Sequence, residues 1–356
     1  MTDGGLPPTP ARTLNATPRR SLVTGGAGFI GSHLVHALLR RGDHITVVDN
    51  LSTGRRINLP AQHPRLEFLH TDLAAALSGP LLGQTFDEIY HLAAAVGVKL
   101  IVADPIGSIH TNIEQTAALL RFAACVPDGR RPHILIASSS EVYGKSTKLP
   151  FREDADVVYG PTTVSRWSYA MSKAIDEHLA LAYFEQQGLP VTVTRFFNTV
   201  GPGQVGEYGM VLPRFVSRAL AGQPIEVYGD GTQSRCFCDV RDVAGVLPSI
   251  IQHPGKVYNV GSETPVSMLE LANLVLTNVG SQSPIRLIPY EQAYGPGFED
   301  LAFRRPDVTR LREAVGFAPR FTLETTIRDV ARWLRTDQRS GADWTDESVI
   351  DLSPRS

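Results

Sequence analysis

Tyr169 and Lys173 are four residues apart in SRWSYAMSKAIDEHLALAY, a segment whose apolar spacing predicts a helix. Residues at this spacing share one helix face, so the phenol and the ammonium are expected to lie side by side. A tyrosine with a pKa of about 10 is a weak base at neutral pH, but a nearby ammonium favours its phenolate. The pair therefore predicts a general base, Tyr169, that takes a proton from a substrate hydroxyl.

A second group of polar residues follows the apolar run HILIA, which is typical of a buried strand. Ser138, Ser139, Ser140 and Glu141 come directly after this run. Ligands of open α/β folds bind at the carboxyl ends of the strands, so we expect these side chains at the binding edge. A serine hydroxyl there can donate a hydrogen bond to a reacting oxygen or accept one from it, although a serine run alone is also typical of a loop.

A glycine-rich turn lies between a predicted strand, SLVTG, and a predicted helix, FIGSHLVHALLRRG. Gly25 permits a tight turn, Gly28 lets the backbone approach a pyrophosphate, and Gly31 lets the helix pack closely on the strand. The N-terminus of the helix faces the phosphate charge. In this strand-turn-helix context the three glycines predict a Rossmann-type dinucleotide site.

Asp49 ends the next apolar run, HITVVDN, eighteen residues after Gly31. A carboxylate at this place accepts hydrogen bonds from both ribose hydroxyls of NAD and repels the 2′-phosphate of NADP, so we expect NAD. Arg55 and Arg56 argue for NADP, but we interpret them as solvated loop charges. Asp72, which follows the third strand, is expected either to bind the adenine or to cap the next helix.

These groups need a sheet to position them. From Ser21 onward, apolar runs of four to six residues alternate with amphipathic segments, which is typical of a parallel sheet covered by helices on both faces. The predicted fold class is therefore α/β, a Rossmann-type doubly wound parallel sheet. After Asn198 glycine and proline become frequent and the strands shorten, which predicts a smaller C-terminal α/β lobe that binds the substrate. Helices are predicted over 30–41, 106–125, 168–187, 211–221, 267–278 and 323–335.

The composition favours a small ligand over a nucleic acid or a membrane. The chain has 356 residues, of which 42% are hydrophobic and 20% charged, and its formal net charge is −2 with lysine and arginine dispersed. Cys236 and Cys238 alternate along a predicted strand without further ligand partners, so packed thiols are expected instead of a disulfide or a metal site. Residues 1–19 are predicted to be a disordered leader and 336–356 a flexible tail. The leader has no apolar targeting segment, so we expect a cytoplasmic protein.

Seven motifs together resemble the extended short-chain dehydrogenase/reductase family of nucleotide-sugar epimerases, dehydratases and decarboxylases. They are TGGAGFIG, VVDN, HLAAA, SSSEVYG, YAMSK, RFFNTVGP and VYGDGTQSR, and they extend over residues 21 to about 320. The resemblance implies a tightly held NAD, a nucleoside-diphosphate sugar, UDP-linked, as substrate, and a homodimer formed through a four-helix bundle. It implies an NAD-binding domain over 20–197, completed by about 236–253, and a substrate-binding lobe over 198–335.

The resemblance also assigns roles to residues. It implies that Ser139 supplies a catalytic hydroxyl, Tyr169 the base and Lys173 its partner. The dinucleotide is expected to contact Tyr169, Lys173 and a further set of residues, namely Gly25, Gly28, Phe29, Ile30, Gly31, Asp49, Asn50, Asp72, Leu73 and Ala93. The sugar nucleotide is expected to contact Lys99, Ser140, Arg166, Asn198, Val211, Tyr228, Arg235, Arg304 and Asp307. Arginine suits such contacts because its fork fits phosphate and carboxylate oxygens.

The residues after the catalytic hydroxyl indicate which reaction follows oxidation at C4. The family's dehydratases have an Asp-Glu pair there, whereas this chain has Ser140 and Glu141, so dehydration is not expected. Simple 4-epimerases usually lack the glutamate. SSSEVYG, the RCF after the phosphate-binding turn and Arg166-Trp167 before Tyr169 are most similar to UDP-glucuronate decarboxylases. Glu141 is expected to orient the substrate carboxyl and manage the C5 proton, or to serve only as a structural carboxylate.

In a decarboxylase of this kind, oxidation at C4 makes the C5 carboxylate leave as CO₂. The hydride then returns to give UDP-xylose, or the keto pentose is released. Two departures keep a second reaction open, since AVGVKLIVADP replaces the PxxP segment of some decarboxylases and Gly203 replaces an arginine of many relatives. Without that arginine, Lys99, Arg166 and Arg235 are left as anchors for the carboxylate. A UDP-hexose or UDP-hexuronate 4-epimerase is the alternative, and an NAD-bound protein without catalysis is a weaker one.

Overall fold

The structure, a computed structural model, describes residues 18–94, 104–127, 129–206, 210–294 and 303–340. Its strands are β1 (Arg20–Thr24), β2 (His44–Asp49), β3 (Leu66–His70), β4 (Glu88–His91), β5 (His133–Ser139), β6 (Val191–Phe196), β7 (Thr199–Val200), β8 (Ile225–Tyr228), β9 (Ser234–Cys236), β10 (Cys238–Asp239), β11 (Lys256–Val260), β12 (Pro265–Ser267), β13 (Ile285–Ile288) and β14 (Phe303–Arg304). Its helices are α1 (Phe29–Arg41), α2 (Leu73–Ser78), α3 (Pro105–Ala124), α4 (Ser168–Gln187), α5 (Val211–Leu220), α6 (Val240–Ile250), α7 (Met268–Val279), α8 (Tyr290–Tyr294), α9 (Thr309–Val315) and α10 (Leu323–Ser340).

Seven strands form one parallel sheet in the order β11-β6-β5-β4-β1-β2-β3. β2 and β3 follow on one side of β1, and β4, β5, β6 and β11 follow on its other side. β1 and β4 therefore meet at a switch point, where Thr24 pairs with His91. Open α/β sheets bind ligands beyond the carboxyl ends of their strands at such a point. The predicted Rossmann-type doubly wound fold is confirmed.

Each face of the sheet has its own buried layer, because successive strand residues point to opposite faces. Val23 of β1 belongs to the cluster formed with α1 and α6, and its neighbour Leu22 belongs to the cluster formed with α3. α4 packs against α3 and against β5 and β6 on this second face. The helix that carries Tyr169 is therefore fixed directly on the strand that ends in Ser139.

The C-terminal lobe has a separate buried cluster. α5, α7 and α10 enclose it, with Phe215, Leu271 and Ile327 among its fully or almost fully buried side chains. Short strands complete the lobe, as a β12-β9-β14 sheet and a β13-β8 pair. The prediction of a smaller C-terminal α/β lobe is confirmed.

All six predicted helices are present among the described residues, with starts that differ by at most one residue. The pattern missed α2, α8 and α9, which are too short to show a helical period, and it missed α6. α6 contains Gly245 and Pro248, which interrupt the sequence signal, although the helix packs firmly on α1. Strand β11 joins the main sheet at residues 256–260, beyond the segment expected to complete it.

Candidate active site

A cavity of about 690 Å³ lies at the carboxyl ends of the central strands and continues into the C-terminal lobe. One part of its wall is formed by the glycine turn and Asp49, another by Ser139 and Tyr169, and a third by Asn198 and Val211. The structure thus brings the predicted dinucleotide turn and the predicted base into one cavity.

The turn from Gly25 to Gly31 has the geometry that its glycines predict. Gly25 has a φ of 69°, in the left-handed region that favours glycine. A Cβ on Gly31 would lie 2.1 Å from the carbonyl oxygen of Gly25, so a larger residue would push α1 away from the turn. No side chain caps α1 at Gly28, and Phe29 and Ile30 of its first turn line the cavity. The amide groups at this helix end therefore fit the pyrophosphate of a dinucleotide.

Asp49 ends β2 at the cavity wall. Its Oδ2 accepts a hydrogen bond from the Ala27 amide at 2.9 Å, and its Oδ1 accepts one from the Leu51 amide at 2.8 Å. Each carboxylate oxygen has a second lone pair, so the group still has acceptors for ribose hydroxyls. Arg56 donates hydrogen bonds to three carbonyl oxygens of its own loop, which agrees with its interpretation as a loop charge.

Asn50, Asp72, Leu73 and Ala93 also line the cavity. The side-chain amide of Asn50 donates to Asp72 Oδ1 at 2.8 Å. Asp72 immediately precedes α2, but its side chain caps no amide of that helix, so the alternative of a helix cap is wrong. An adenine contact for Asp72 stays a prediction.

Replacing Asp49 with asparagine is expected to reduce the preference for NAD over NADP by about tenfold. The amide keeps the shape of the side chain but no longer repels a 2′-phosphate, and it loses one of the two acceptors of backbone amides. Calorimetric titration with each dinucleotide measures the ratio. Glu67→Gln, a matched loss of charge on the exposed side of β3, is expected to leave the ratio unchanged. An Asp49→Asn ratio equal to that of the parent would contradict the assignment.

Ser139, Tyr169 and Lys173 come together from two elements. Ser139 is the last residue of β5, and the other two lie one turn apart on α4. The Ser139 hydroxyl lies near the phenol of Tyr169 and acts to lower the pKa of that phenol. Lys173 is 2% exposed, and its Nζ donates to Asp176 Oδ2 at 3.1 Å. A substrate hydroxyl placed between the serine and the tyrosine could lose its proton to the phenolate.

The protein groups around Tyr169 raise the pKa of its phenol. Burial is the main cause, the charge of Glu141 adds to it, and the Ser139 hydroxyl opposes it. The protein groups alone therefore do not make Tyr169 acidic, and the combined effect of Lys173 and a bound nicotinamide ring stays a prediction. Burial of the phenol is the main reason, and the Lys173 ammonium is itself paired with a carboxylate.

Glu141 lies between two arginines that also line the cavity. Arg166 Nη1 donates to Glu141 Oε2 at 3.0 Å, and Arg304 Nη1 donates to Oε1 at 2.5 Å. Burial acts to raise the pKa of Glu141, but the two guanidinium groups outweigh it and lower this pKa to about 2. Glu141 is therefore a carboxylate at neutral pH and a weak base. The geometry favours an orienting role for it over proton transfer.

The structure brings five predicted substrate contacts to the cavity wall. They are Ser140, Arg166, Asn198, Val211 and Arg304. Tyr228, Arg235 and Asp307 do not line the cavity, and Lys99 lies outside the described residues.

Each of the three residues away from the wall has a local contact of its own. The Tyr228 hydroxyl accepts a hydrogen bond from Arg214, Arg235 is buried in β9, and the Asp307 carboxylate accepts a hydrogen bond from the Thr309 amide at the start of α9. Tyr228 is therefore connected to the cavity wall through Arg214.

Arg214 itself lines the cavity, and sequence reasoning missed it. Its guanidinium carbon lies 4.3 Å from the centre of the Tyr228 ring, and its Nη1 donates to the Tyr228 hydroxyl at 2.5 Å. Val211 and Arg214 are three residues apart on α5, so the helical spacing was a signal that could have found it.

The cysteines are free thiols, as their pattern predicts. Cys236 and Cys238 are buried, and burial raises the pKa of the Cys236 thiol to about 12. Among the described residues, no cluster of three or more histidine, cysteine or acidic side chains is placed to hold a metal ion. No helix in the described part of the chain is long and apolar enough to cross a membrane.

Comparisons with known proteins agree with this site. Residues 21–261 match a family described as the NAD dependent epimerase/dehydratase family. The UDP-N-acetyl-alpha-D-glucosaminuronate decarboxylase of Bacillus cytotoxicus is 39% identical over 89% of this chain and 98% of its own length. UDP-glucuronic acid decarboxylase 4 of Arabidopsis thaliana is 34% identical over 93% of this chain and 72% of its own length.

Among solved structures, the UDP-glucose 4-epimerase of Thermus thermophilus in complex with NAD superposes with a TM-score of 0.77. It is 29% identical, and the match covers 89% of this chain and 99% of the epimerase. The fold and the dinucleotide site are thus shared by relatives that carry out more than one reaction, and the local chemistry of the cavity must distinguish among them.

Proposed function

Because the chain belongs to the NAD dependent epimerase/dehydratase family, we propose that it is an NAD-dependent decarboxylase of a UDP-linked hexuronate, with UDP-glucuronate as its substrate. The two decarboxylases at 39% and 34% identity support this reaction. The observation that carries the proposal is the cluster of Arg166, Glu141 and Arg304 at the cavity wall.

The charge of this cluster favours an anionic sugar. Two guanidinium groups and one carboxylate sum to a positive charge, and the two arginine side chains are only 9% and 7% exposed. A hexuronate carries a carboxylate on C5, and arginine's planar fork fits a carboxylate better than it fits the alcohol of a hexose. Arg166 takes the place of the missing anchor at Gly203 in this proposal, while Glu141 keeps both guanidiniums oriented.

The glycine turn and Asp49 would hold NAD, which would supply the hydride acceptor for C4 and, after decarboxylation, the hydride donor. The positive charge of the oxidised cofactor would favour the phenolate of Tyr169. Ser139 and Tyr169 hold the C4 hydroxyl, and Tyr169 takes its proton as C4 is oxidised.

The ketone at C4 lies β to the carboxylate on C5, so the electrons left by the departing CO₂ move onto the ketone oxygen. Ser139 and the protonated Tyr169 stabilise this oxygen by donating hydrogen bonds. Dehydration would instead need a protonated acid beside C6, and the low pKa of Glu141 makes this residue unsuitable. The same pKa argues that Glu141 positions the arginines, and we assign the proton that C5 gains after CO₂ leaves to water that enters the cavity.

The test is to incubate the protein and NAD with UDP-glucuronate labelled with ¹³C at C6. Labelled CO₂ together with UDP-xylose or its 4-keto form is expected. UDP-galacturonate without CO₂ would assign the chain as a 4-epimerase, and a C6-deoxy product from a UDP-hexose would assign it as a dehydratase.

A second substrate is favoured by one comparison. The relative at 39% identity is named for UDP-N-acetylglucosaminuronate, which differs from UDP-glucuronate only in the group on C2. Parallel reactions with both nucleotide sugars distinguish these substrates. A larger kcat/KM with the N-acetylated sugar would move the assignment to that substrate and leave the carboxylate argument unchanged.

We also propose a homodimer. α3 and α4 pack side by side and expose three isoleucines, namely Ile106 (71%), Ile109 (37%) and Ile175 (47%). Two such helix pairs from two copies would bury these side chains as a four-helix bundle.

Replacing Ile175 with glutamate is expected to convert the dimer to a monomer, because the bundle would bury a charge in each copy. Size-exclusion chromatography with light scattering measures the mass. Leu287→Glu is the matched control, since Leu287 is 53% exposed on β13, outside the proposed bundle. A parent chain that is monomeric, or an Ile175→Glu variant that stays dimeric, would contradict the proposed bundle.

The lobe boundaries of 20–197 and 198–335 and the cytoplasmic location remain proposals. We propose that the dinucleotide-binding unit, expected to be completed by about 236–253, also includes β11, because this strand extends the main sheet next to β6.

A further inference from the structure

Asp176 is a buried carboxylate that the proposed reaction does not yet use. It lies on α4, one turn after Lys173, and it is 0% exposed. Its Oδ2 accepts the hydrogen bond from Lys173 Nζ, and its Oδ1 accepts no well-formed hydrogen bond from the described residues. Burying a carboxylate in this way costs free energy, which a single ion pair does not generally recover.

The other charged groups around Asp176 have different partners or carry no charge. On α4, Glu177 pairs with Arg195 at 2.7 Å and accepts a hydrogen bond from Ser138 at 2.5 Å. From β4, His91 faces Lys173, and burial, with the Lys173 charge, lowers the pKa of His91 to about 3, so it is neutral. Asp176 is therefore the carboxylate that compensates the ammonium of Lys173.

Two hydrogen bonds link the helix beside this carboxylate to the end of β1. Burial raises the pKa of Asp176, and the Lys173 ammonium and the nearby Thr116 hydroxyl of α3 act against this rise. The Thr116 hydroxyl donates to the Asn112 carbonyl oxygen of the same helix at 2.8 Å. The same hydroxyl is 3.1 Å from His91 Nε2, and His91 Nδ1 is 2.8 Å from the hydroxyl of Thr24 at the end of β1. The HLAAA motif thus has a physical role, because its histidine links the strand before the glycine turn to α3, which packs against the helix of the catalytic pair.

We propose that Asp176 is a positioning residue that holds the Lys173 ammonium and sets how strongly this ammonium promotes ionisation of Tyr169. In this arrangement Lys173 presents a charge that is partly neutralised, and the carboxylate of Asp176 opposes the phenolate directly. Removing the negative charge of Asp176 leaves Lys173 to act on Tyr169 without that opposition. The inference rests on the proposed function only in taking Tyr169 as the base.

The test measures ionisation of Tyr169 without turnover. The NAD-loaded protein is titrated with base while its tyrosinate absorbance near 295 nm is recorded. The absorbance of a Tyr169→Phe reference at the same pH is subtracted, so that the difference reports ionisation of Tyr169. In Asp176→Asn the midpoint is expected to move down by about one pH unit, the usual size of a nearby charge effect. If the substrate is UDP-glucuronate, the acidic limb of kcat against pH moves the same way, because the phenolate forms at lower pH.

Two further variants make the result decisive. Glu185→Gln makes the same chemical change at an exposed position of α4 and is expected to leave the midpoint in place. Asp176→Ser retains a small acceptor for Lys173 and serves if the asparagine variant fails to fold. A folded Asp176→Asn or Asp176→Ser protein with the parent midpoint overturns the proposal. Because the titration needs no substrate, this outcome is separate from a failure of the decarboxylation assay.

Discussion

The Tyr169→Phe variant is expected to lose about three orders of magnitude in kcat while its fold and its NAD content stay unchanged. The phenol is the group beside Ser139 that can take the C4 proton, and phenylalanine removes this oxygen without changing the ring that fills the space. Loss of a positioned acid or base costs 10² to 10⁴ in rate, roughly, and both oxidation and the return of hydride need this group.

Single-turnover measurements separate this loss from weaker binding. Absorbance at 340 nm reports NADH formed from UDP-glucuronate, and in Tyr169→Phe this signal is expected to rise about a thousand times more slowly, with the same affinity for the nucleotide sugar. Tyr183→Phe, on the same helix but outside the cavity wall, is expected to behave as the parent chain. If Tyr169→Phe retained more than a tenth of the parent rate, another group would have to be the base.

The parts of this site that the sequence could predict are local in the chain. The glycine turn depends on residues within one strand-turn-helix unit, and the pairing of Tyr169 with Lys173 depends on helical spacing alone. The carboxyl ends of parallel strands share one edge, so the sequence alone predicts that Asp49 and Ser139 lie at one cavity.

The parts that could not be predicted depend on contacts between distant segments. Glu141 and Arg304 are 163 residues apart, so no spacing rule indicates that they pair or that Glu141 is held as a carboxylate. The pKa of Tyr169 also depends on how deeply the phenol is buried and on the charge of Glu141. Neither can be read from the sequence of the helix that carries the tyrosine. Asp176 was within reach of the sequence, since it follows Lys173 by three residues, but only its complete burial shows that it matters.

Replacing Arg166 with methionine is expected to reduce kcat/KM for UDP-glucuronate at least about thirtyfold, or roughly 2 kcal/mol. Methionine keeps much of the apolar stem that lies against Trp167, where the guanidinium now sits 5.3 Å from the ring centre, but it removes the fork proposed to bind the C5 carboxylate. Truncating one partner of a buried, hydrogen-bonded charge pair costs about 2 to 5 kcal/mol, partly because the other charge is left uncompensated.

The informative measurement compares UDP-glucuronate with UDP-glucose, which has the same nucleotide and no carboxylate. Calorimetric titration of the Tyr169→Phe protein, which holds UDP-glucuronate without turning it over, is expected to show tighter binding of the hexuronate. Adding Arg166→Met is expected to remove this preference and to leave the affinity for UDP-glucose within about twofold. Arg152→Met, the same change in an exposed loop side chain, is expected to alter neither affinity.

Equal losses of affinity for both ligands would mean that Arg166 binds the diphosphate or supports the fold, and the carboxylate argument for a hexuronate would then fail.

The Glu141→Gln variant tests whether Glu141 only orients the arginines or takes part in the chemistry. If Glu141 only orients the arginines, removing its charge increases the net positive charge that Arg166 and Arg304 present to the substrate. UDP-glucuronate is then expected to bind more tightly. Decarboxylation is expected to slow, because the arginines no longer align the substrate. A Glu141→Gln protein that binds normally but accumulates the 4-keto hexuronate would instead show that this carboxylate takes part in the chemistry at C5.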